Sequence, residues 1–328
     1  MTPTCSLPDC TFGQTGKCML NNNPSTCPQR LGSAGTPTLA TGLAPVLTSP
    51  IDEGVRLAPS LTMGSEDVQS YLGRRLCTQV GVLGFPNAGK TAALVSLYLL
   101  VSNKQLDGFE FRDCRTLMAF EQISRGAREW RRDALPEQVT VHTELADDRT
   151  AGFLHFKLFD QAHGQDVEFF VPDLPGEWTS TLVDQKRSDR LAFLRAADVI
   201  WLFVDGQQLA NARARQEAVH RTQLVIRRTA DFLGSRGRPP LALVVTRRDE
   251  GQPHQPSIDA ILGTSADEGF DARVIEIASF SRHPDVAPAG TGLVELVKTL
   301  LPKARTERKV LMDERHPDAR FAMNFRTS

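Results

Sequence analysis

The stretch Gly84-Phe85-Pro86-Asn87-Ala88-Gly89-Lys90-Thr91 matches the pattern G-x-x-x-x-G-K-[ST] in full. Its chemistry is that of an anion cradle. Backbone N–H groups of Gly84, Asn87, Ala88 and Gly89 are expected to turn inward on a phosphate, and the amides of Lys90, Thr91 and Ala92 continue the cradle as the first turn of a helix. The Lys90 ammonium reaches the β and γ phosphates, and the Thr91 hydroxyl is a ligand for Mg²⁺.

Two further strand ends carry residues of matching chemistry. Asp173-Leu174-Pro175-Gly176 closes an apolar run, so Asp173 is placed to hold Mg²⁺ through water and the Gly176 N–H to meet a γ-phosphate. Read alone, the same residues make an ordinary Asp-Pro-Gly turn. Thr246-Arg247-Arg248-Asp249 follows another apolar run. A carboxylate at Asp249 accepts two hydrogen bonds from the N1–H and 2-amino groups of guanine, a pattern adenine does not present. Arg247 lays its planar guanidinium along a base. Ala278-Ser279, at the next strand end, offers a weaker backbone contact to the base.

The order GFPNAGKT, DLPG, TRRD, AS resembles a Ras-like (TRAFAC-class) GTPase domain, over Arg75 to about Leu301. The finer pattern of GFEFRDCRTLMAFEQ, LPEQVT and DLPGE is similar to the bacterial double-GTPase-like domains of conflict and signalling gene clusters. The resemblance implies GTP and GDP as ligands, Mg²⁺ as cofactor, and a protein partner encoded nearby. It implies a switch threonine that senses Mg²⁺ and the γ-phosphate, and Thr140 in LPEQVT resembles the L-P-x-x-T pattern with one residue more before the threonine; Thr143 and Thr150 are the other candidates. Glu177 stands where such proteins often carry a water-orienting glutamine, so binding is better supported than turnover. The catalytic set is then Lys90, Thr140, Gly176 and Glu177. Arg125, Arg128, Arg131 and Arg132 read as a solvated basic helix end, or as one arginine supplied in cis. The reading is a guanine-nucleotide switch with slow hydrolysis. Two alternatives stay open: a GTP-binding scaffold without turnover, and an ATPase in which Asp249 is idle.

These residues need rigid elements to hold them. Cys77–Gly84, Gly152–Asp160, Asp166–Glu177, Asp198–Gly206, Leu241–Asp249 and Ala272–Phe280 read as strands, with Gly152–Asp160 half-exposed because its residues alternate. Lys90–Ser102, Thr116–Trp130, Arg190–Ala197, 211–233 and Gly292–Leu301 read as helices. Alternating strands and helices predict an α/β fold, a mostly parallel sheet with helices on both faces.

Cys5, Cys10, Cys18 and Cys27 punctuate a polar segment, 1–27, which is read as a structural zinc module, with an iron–sulfur cluster or free thiols as alternatives. Residues 28–65 are rich in Pro, Gly, Thr and Ser and read as a flexible linker, 66–302 as the P-loop domain, and 303–328 as a solvated tail. The net charge of −1 gives no global field for nucleic acid. No apolar run approaches the ~20 residues of a bilayer span and no signal peptide is visible, so the cytoplasm is expected.

Overall fold

The computed structural model describes residues 11–18, 20, 23, 27, 29, 61–72, 77–125, 151–235 and 237–301. The chain divides into two units, Met1–Leu57 and Ala58–Ser328. In the first, Phe12–Thr15 forms one helical turn, closed by Gly16 in the left-handed region at φ 67°.

The second unit is built on a seven-stranded sheet in the order β2-β3-β4-β1-β5-β6-β7. The strands are β1 Thr78–Leu83, β2 Phe109–Asp113, β3 Gly152–Asp160, β4 Gln165–Asp173, β5 Val199–Asp205, β6 Leu241–Thr246 and β7 Ala272–Glu276. β4, β1, β5, β6 and β7 run parallel, while β3 is antiparallel to both β2 and β4. The helices are α1 Ser65–Leu72, α2 Lys90–Ser102, α3 Leu117–Ile123, α4 Gly176–Gln185, α5 Gly206–Ala210, α6 Arg215–Leu233, α7 Gln255–Asp267 and α8 Leu293–Lys298. A 3-10 stretch covers Asp189–Ala196.

Strand side chains alternate between two cores, as the pleat requires. Val80, Val82, Trp201, Phe203 and Val244 pack with α2, α3 and α8. Leu83, Ile200, Leu202, Leu243 and Val245 pack with α4, α6 and α7 on the opposite face. The sheet is therefore covered on both sides, as a mostly parallel sheet of apolar strands demands.

Two expectations change. β3 is not half-exposed: of its residues only Lys157 and Phe159 escape full burial. Leu154, Phe156 and Leu158 face one core, while Phe153 faces the other with Met63. His155 is buried too: its Nδ1 accepts from the Arg115 N–H at 3.1 Å, its Nε2 donates to Glu168 Oε1 at 3.0 Å, and its ring lies against Tyr71 and Phe170. Met63, inside the stretch read as linker, exchanges backbone hydrogen bonds with Phe153 at 2.9 Å each way, so this part of the chain is tied to β3.

α1, β2, α4, α5 and α7 were not foreseen as elements. β2 is short and charged. α4 opens on a glycine and α7 carries a proline in its first turn and Gly263 inside, which locally read as turn signals. The helix expected over 116–130 is observed over Leu117–Ile123, and 126–150 lie outside the described residues.

Candidate nucleotide-binding site

The parallel strands place their carboxyl ends on one edge, where an open α/β sheet builds its ligand site. Residues 84–89 leave β1 there and enter α2 at Lys90. Gly89, at φ 87°, is the αL cap that lets the loop close; a Cβ at that position would sit 3.1 Å from the Thr246 Cγ2. Asn87 also takes a left-handed conformation, φ 62°.

Lys90 is buried, and its Nζ donates to the carbonyls of Gly84 at 2.9 Å and Phe85 at 3.0 Å. Burial pulls its pKa from 10.5 down to about 8, against the opposing pull of the Asp173 and Glu177 carboxylates. The Thr91 hydroxyl donates to Asp173 Oδ1 at 3.0 Å. Two of the three residues expected at Mg²⁺, Thr91 and Asp173, thus come together from α2 and the end of β4, and a hydroxyl beside a buried carboxylate is an oxygen donor set that suits a hard divalent cation.

Gly176 begins α4 and lies on the phosphate loop. A Cβ there would fall 2.2 Å from the Pro86 nitrogen and 2.5 Å from its Cα, so only glycine lets the two backbones meet. Glu177 follows with its side chain exposed. Trp178 is buried, with the Arg190 guanidinium 5.5 Å from its ring centroid. Thr140, Thr143 and Thr150, the switch candidates, lie outside the described residues, as do Arg128, Arg131 and Arg132.

At the other end of the edge, Thr246 closes β6 and donates its hydroxyl to the Val204 carbonyl at 3.3 Å. Arg247 is left-handed, φ 56°. Its Nη1 pairs with Asp205 Oδ2 and its Nη2 donates to the Asn87 carbonyl at 3.2 Å, so one guanidinium joins β5, β6 and the phosphate loop. Asp205 also caps α5, accepting from the Gln207 N–H at 3.0 Å. Asp249 is buried. Its Oδ2 accepts from the Arg282 N–H at 2.8 Å, and its Oδ1, equally buried, has no partner among the described residues. A buried carboxylate oxygen without a donor is costly unless a ligand supplies one, and an N–H-bearing base edge would do so. Ser279 is buried with its carbonyl engaged by the Ser96 hydroxyl at 2.6 Å.

The sequence reading placed the loop, Asp173, Gly176 and the Thr246–Asp249 run on this edge, and the structure brings them together. It did not single out the Arg282 N–H, which carries no residue-type signal because it is a backbone group. Asp205, at the end of β5, joins them through its pair with Arg247. Cys18 and Cys27 form no disulfide, Cys5 and Cys10 lie outside the described residues, and no group of three or more His, Cys, Asp or Glu among the described residues is placed to hold a metal ion. The zinc expectation therefore has no structural support. Among the described residues no helix is long and apolar enough to cross a membrane.

The sequence model of a family described as Double-GTPase 2 matches residues 78–301. No curated protein matches the chain. Among solved structures it is similar to the signal recognition particle receptor SRb-GTP/SRX complex from Chaetomium thermophilum, at 11% identity and TM-score 0.36, covering 64% of this chain and 94% of that one. It is also similar to the Arl6 BBS3 small GTPase from Trypanosoma brucei with bound GppNp, at 14% identity and TM-score 0.36, covering 68% and 94%.

Proposed function

The chain belongs to the Double-GTPase 2 family, and from that premise we propose that it is a guanine-nucleotide switch, which binds Mg²⁺-GTP and hydrolyses it slowly to GDP. The observation that carries the base assignment is the buried Asp249 Oδ1, without a partner among the described residues, beside an Oδ2 already fixed by the Arg282 amide. Guanine supplies N1–H and N2–H donors to such a carboxylate. Adenine would leave it buried and unpaired, which disfavours the ATPase reading.

Thr91 and Asp173 would hold Mg²⁺, which when bound neutralises phosphate charge. Lys90 leaves the Gly84 and Phe85 carbonyls and turns its ammonium to the β–γ bridging oxygen. Water attacks the γ-phosphorus; the new O–P bond forms as the bridging P–O bond breaks, and Lys90 stabilises the charge gathering on the leaving oxygen. Glu177, exposed on the first turn of α4, would orient that water or take its proton. Loss of γ-phosphate contacts at Gly176 and Thr140 then releases the flanking segments toward a protein partner. Glu177 in place of an amide favours a second reading, a GTP-bound scaffold that turns over only with that partner. Single-turnover hydrolysis with and without candidate proteins encoded nearby separates the two.

Binding of fluorescent GTP and ATP analogues with Mg²⁺, by wild type and Asp249→Asn, tests the base assignment. Two charge-assisted hydrogen bonds are at stake, so the substitution should weaken GTP by about 2–4 kcal/mol, roughly 30- to 1,000-fold. Equal affinity for ATP, or an unchanged Asp249→Asn, would return the chain to a phosphate-loop protein of open base preference.

A further inference from the structure

β2 is the end strand of the sheet, and among the described residues no strand pairs with its outer side. The ladder shows which of its peptide groups face outward. The Gly108 carbonyl accepts from the Gln161 N–H at 3.0 Å, so Gly108 and Gln161 are a hydrogen-bonded pair of the antiparallel ladder, and its alternation makes Phe111 and Leu158 a non-hydrogen-bonded one. The Phe111 N–H and C=O therefore point away from β3. The Phe111 side chain follows Phe109 on one face of the strand; Phe109 is buried in the core shared with α2 and α3, while Phe111 is 50% exposed. Leu117 and Met118, on the first turn of α3, are exposed as well. An open edge beside exposed apolar side chains is a surface that proteins cover or blunt. The register shift between Phe111 and Asp113 bends the strand and keeps the open run short, without closing it at Phe111.

The charges on this strand indicate what fits the edge. Arg112 Nη2 lies 3.7 Å from Glu110 Oε2, and its guanidinium is 4.4 Å from the ring centroid of Phe159. Glu110 Oε1 accepts from Gln161 Nε2 at 2.7 Å, so both charged heads are held in place, and both remain about half exposed. The run Glu110-Phe111-Arg112 is its own complement. A twofold axis at Phe111 sets Phe111 against Phe111, with two N–H···O=C bonds between the copies, and each Glu110 opposite the Arg112 of the other copy. An axis at Glu110 or at Arg112 would instead set like charges face to face, so the register is specified. We propose that β2 is a self-association edge, on which a second copy of this chain pairs antiparallel, centred on Phe111. Antiparallel pairing reverses the strand direction, so the carboxyl edges of the two sheets, and the nucleotide sites on them, point opposite ways. The pairing does not depend on the nucleotide reading above.

Sedimentation velocity of the full chain over a concentration series tests this. Wild type should pass from monomer to dimer as the concentration rises. Glu110→Arg and Arg112→Glu each set like charges opposite one another twice per interface, and each should weaken the dimer by roughly tenfold or more. Both positions are exposed, so the variants should keep the wild-type circular dichroism. Mixed in equal amounts, the two variants should recover a mixed dimer, because one chain then offers two arginines to two glutamates of the other. Phe111→Lys, which sets two ammonium groups face to face at the axis, should also be monomeric and serves if a charge variant does not fold. A wild type that stays monomeric throughout would overturn the proposal, since the edge is then covered by something other than a second copy. Charge variants or Phe111→Lys that dimerise as wild type does, or an equal mixture that stays monomeric, would overturn it as well.

Discussion

Asp249 and Lys90 stand at opposite ends of one site, both charged and both buried, and they are held in opposite ways. Asp249 has one oxygen fixed by the Arg282 amide and the other without a partner among the described residues, and Arg247 is already locked between Asp205 and the Asn87 carbonyl. Lys90 has its ammonium turned onto the loop's own carbonyls. The base end is set before any ligand arrives, so binding there costs little reorganisation. The phosphate end uses its cation internally and has to be re-formed by the ligand. On the proposed function, recognition would fall to a rigid half of the site and switching to a rearranging half.

The largest effect expected from this difference is at Lys90. Its folded pKa is depressed, from 10.5 to about 8, because burial disfavours the ammonium. Between those values the unfolded chain holds the proton more firmly than the folded one. Stability of the nucleotide-free protein should therefore rise with pH from about 8 to 10.5, and the charged form should cost on the order of 3 kcal/mol below that window. Urea midpoints of wild type against Lys90→Met across the window check this. Saturating Mg²⁺-GTP should flatten the dependence, because phosphate holds the proton on Lys90. A flat difference in the nucleotide-free protein would mean that this end is as pre-set as the base end, and the contrast would fail.

Gly176→Ala probes the same half at its contact with the loop. The methyl group would land 2.2 Å from the Pro86 nitrogen, so α4 has to lift. Overpacking of this kind should cost about 1–3 kcal/mol in unfolding free energy. GDP affinity should change little, while single-turnover hydrolysis falls, since Glu177 moves with α4. Loss of GDP and GTP binding in equal measure would place Gly176 in general support of the loop instead.

The two halves were also unequally legible. The base end could be read from Thr246, Arg247 and Asp249 because their roles depend on side-chain type at the end of an apolar strand. The phosphate loop was legible for a second reason, since its strand and helix flank it directly. What stayed hidden depends on distance in sequence. Thr179 reads as a helix threonine until Gly84 is brought beside it, and Arg221 as one charge on an amphipathic helix until Phe85 lies under it. His155 belongs to the same class: alternation put β3 half in solvent, and only the packing of Met63 and Tyr71 over that face shows why a histidine there is buried with Glu168. Local pattern fixes which face a residue takes, and tertiary cover decides whether that face meets water.

The smallest expected effect tests the rigid half. Arg247 engages Asp205 through Nη1 and the Asn87 carbonyl through Nη2, two separated donors of one plane. A lysine offers one ammonium, which cannot span both partners and stacks less well on a base. Arg247→Lys should thus give up about one hydrogen bond, near 1 kcal/mol, and weaken guanine nucleotides by roughly fivefold. Because this half does not rearrange, GTP and GDP should weaken by the same factor in equilibrium titrations. Asp205→Asn should do much the same, and the double variant should fall short of the sum, since each change already breaks the shared contact. If Arg247→Lys weakened GTP far more than GDP, the lock at Asn87 would be passing γ-phosphate occupancy across the loop. The base end would then belong to the switch and not only to recognition.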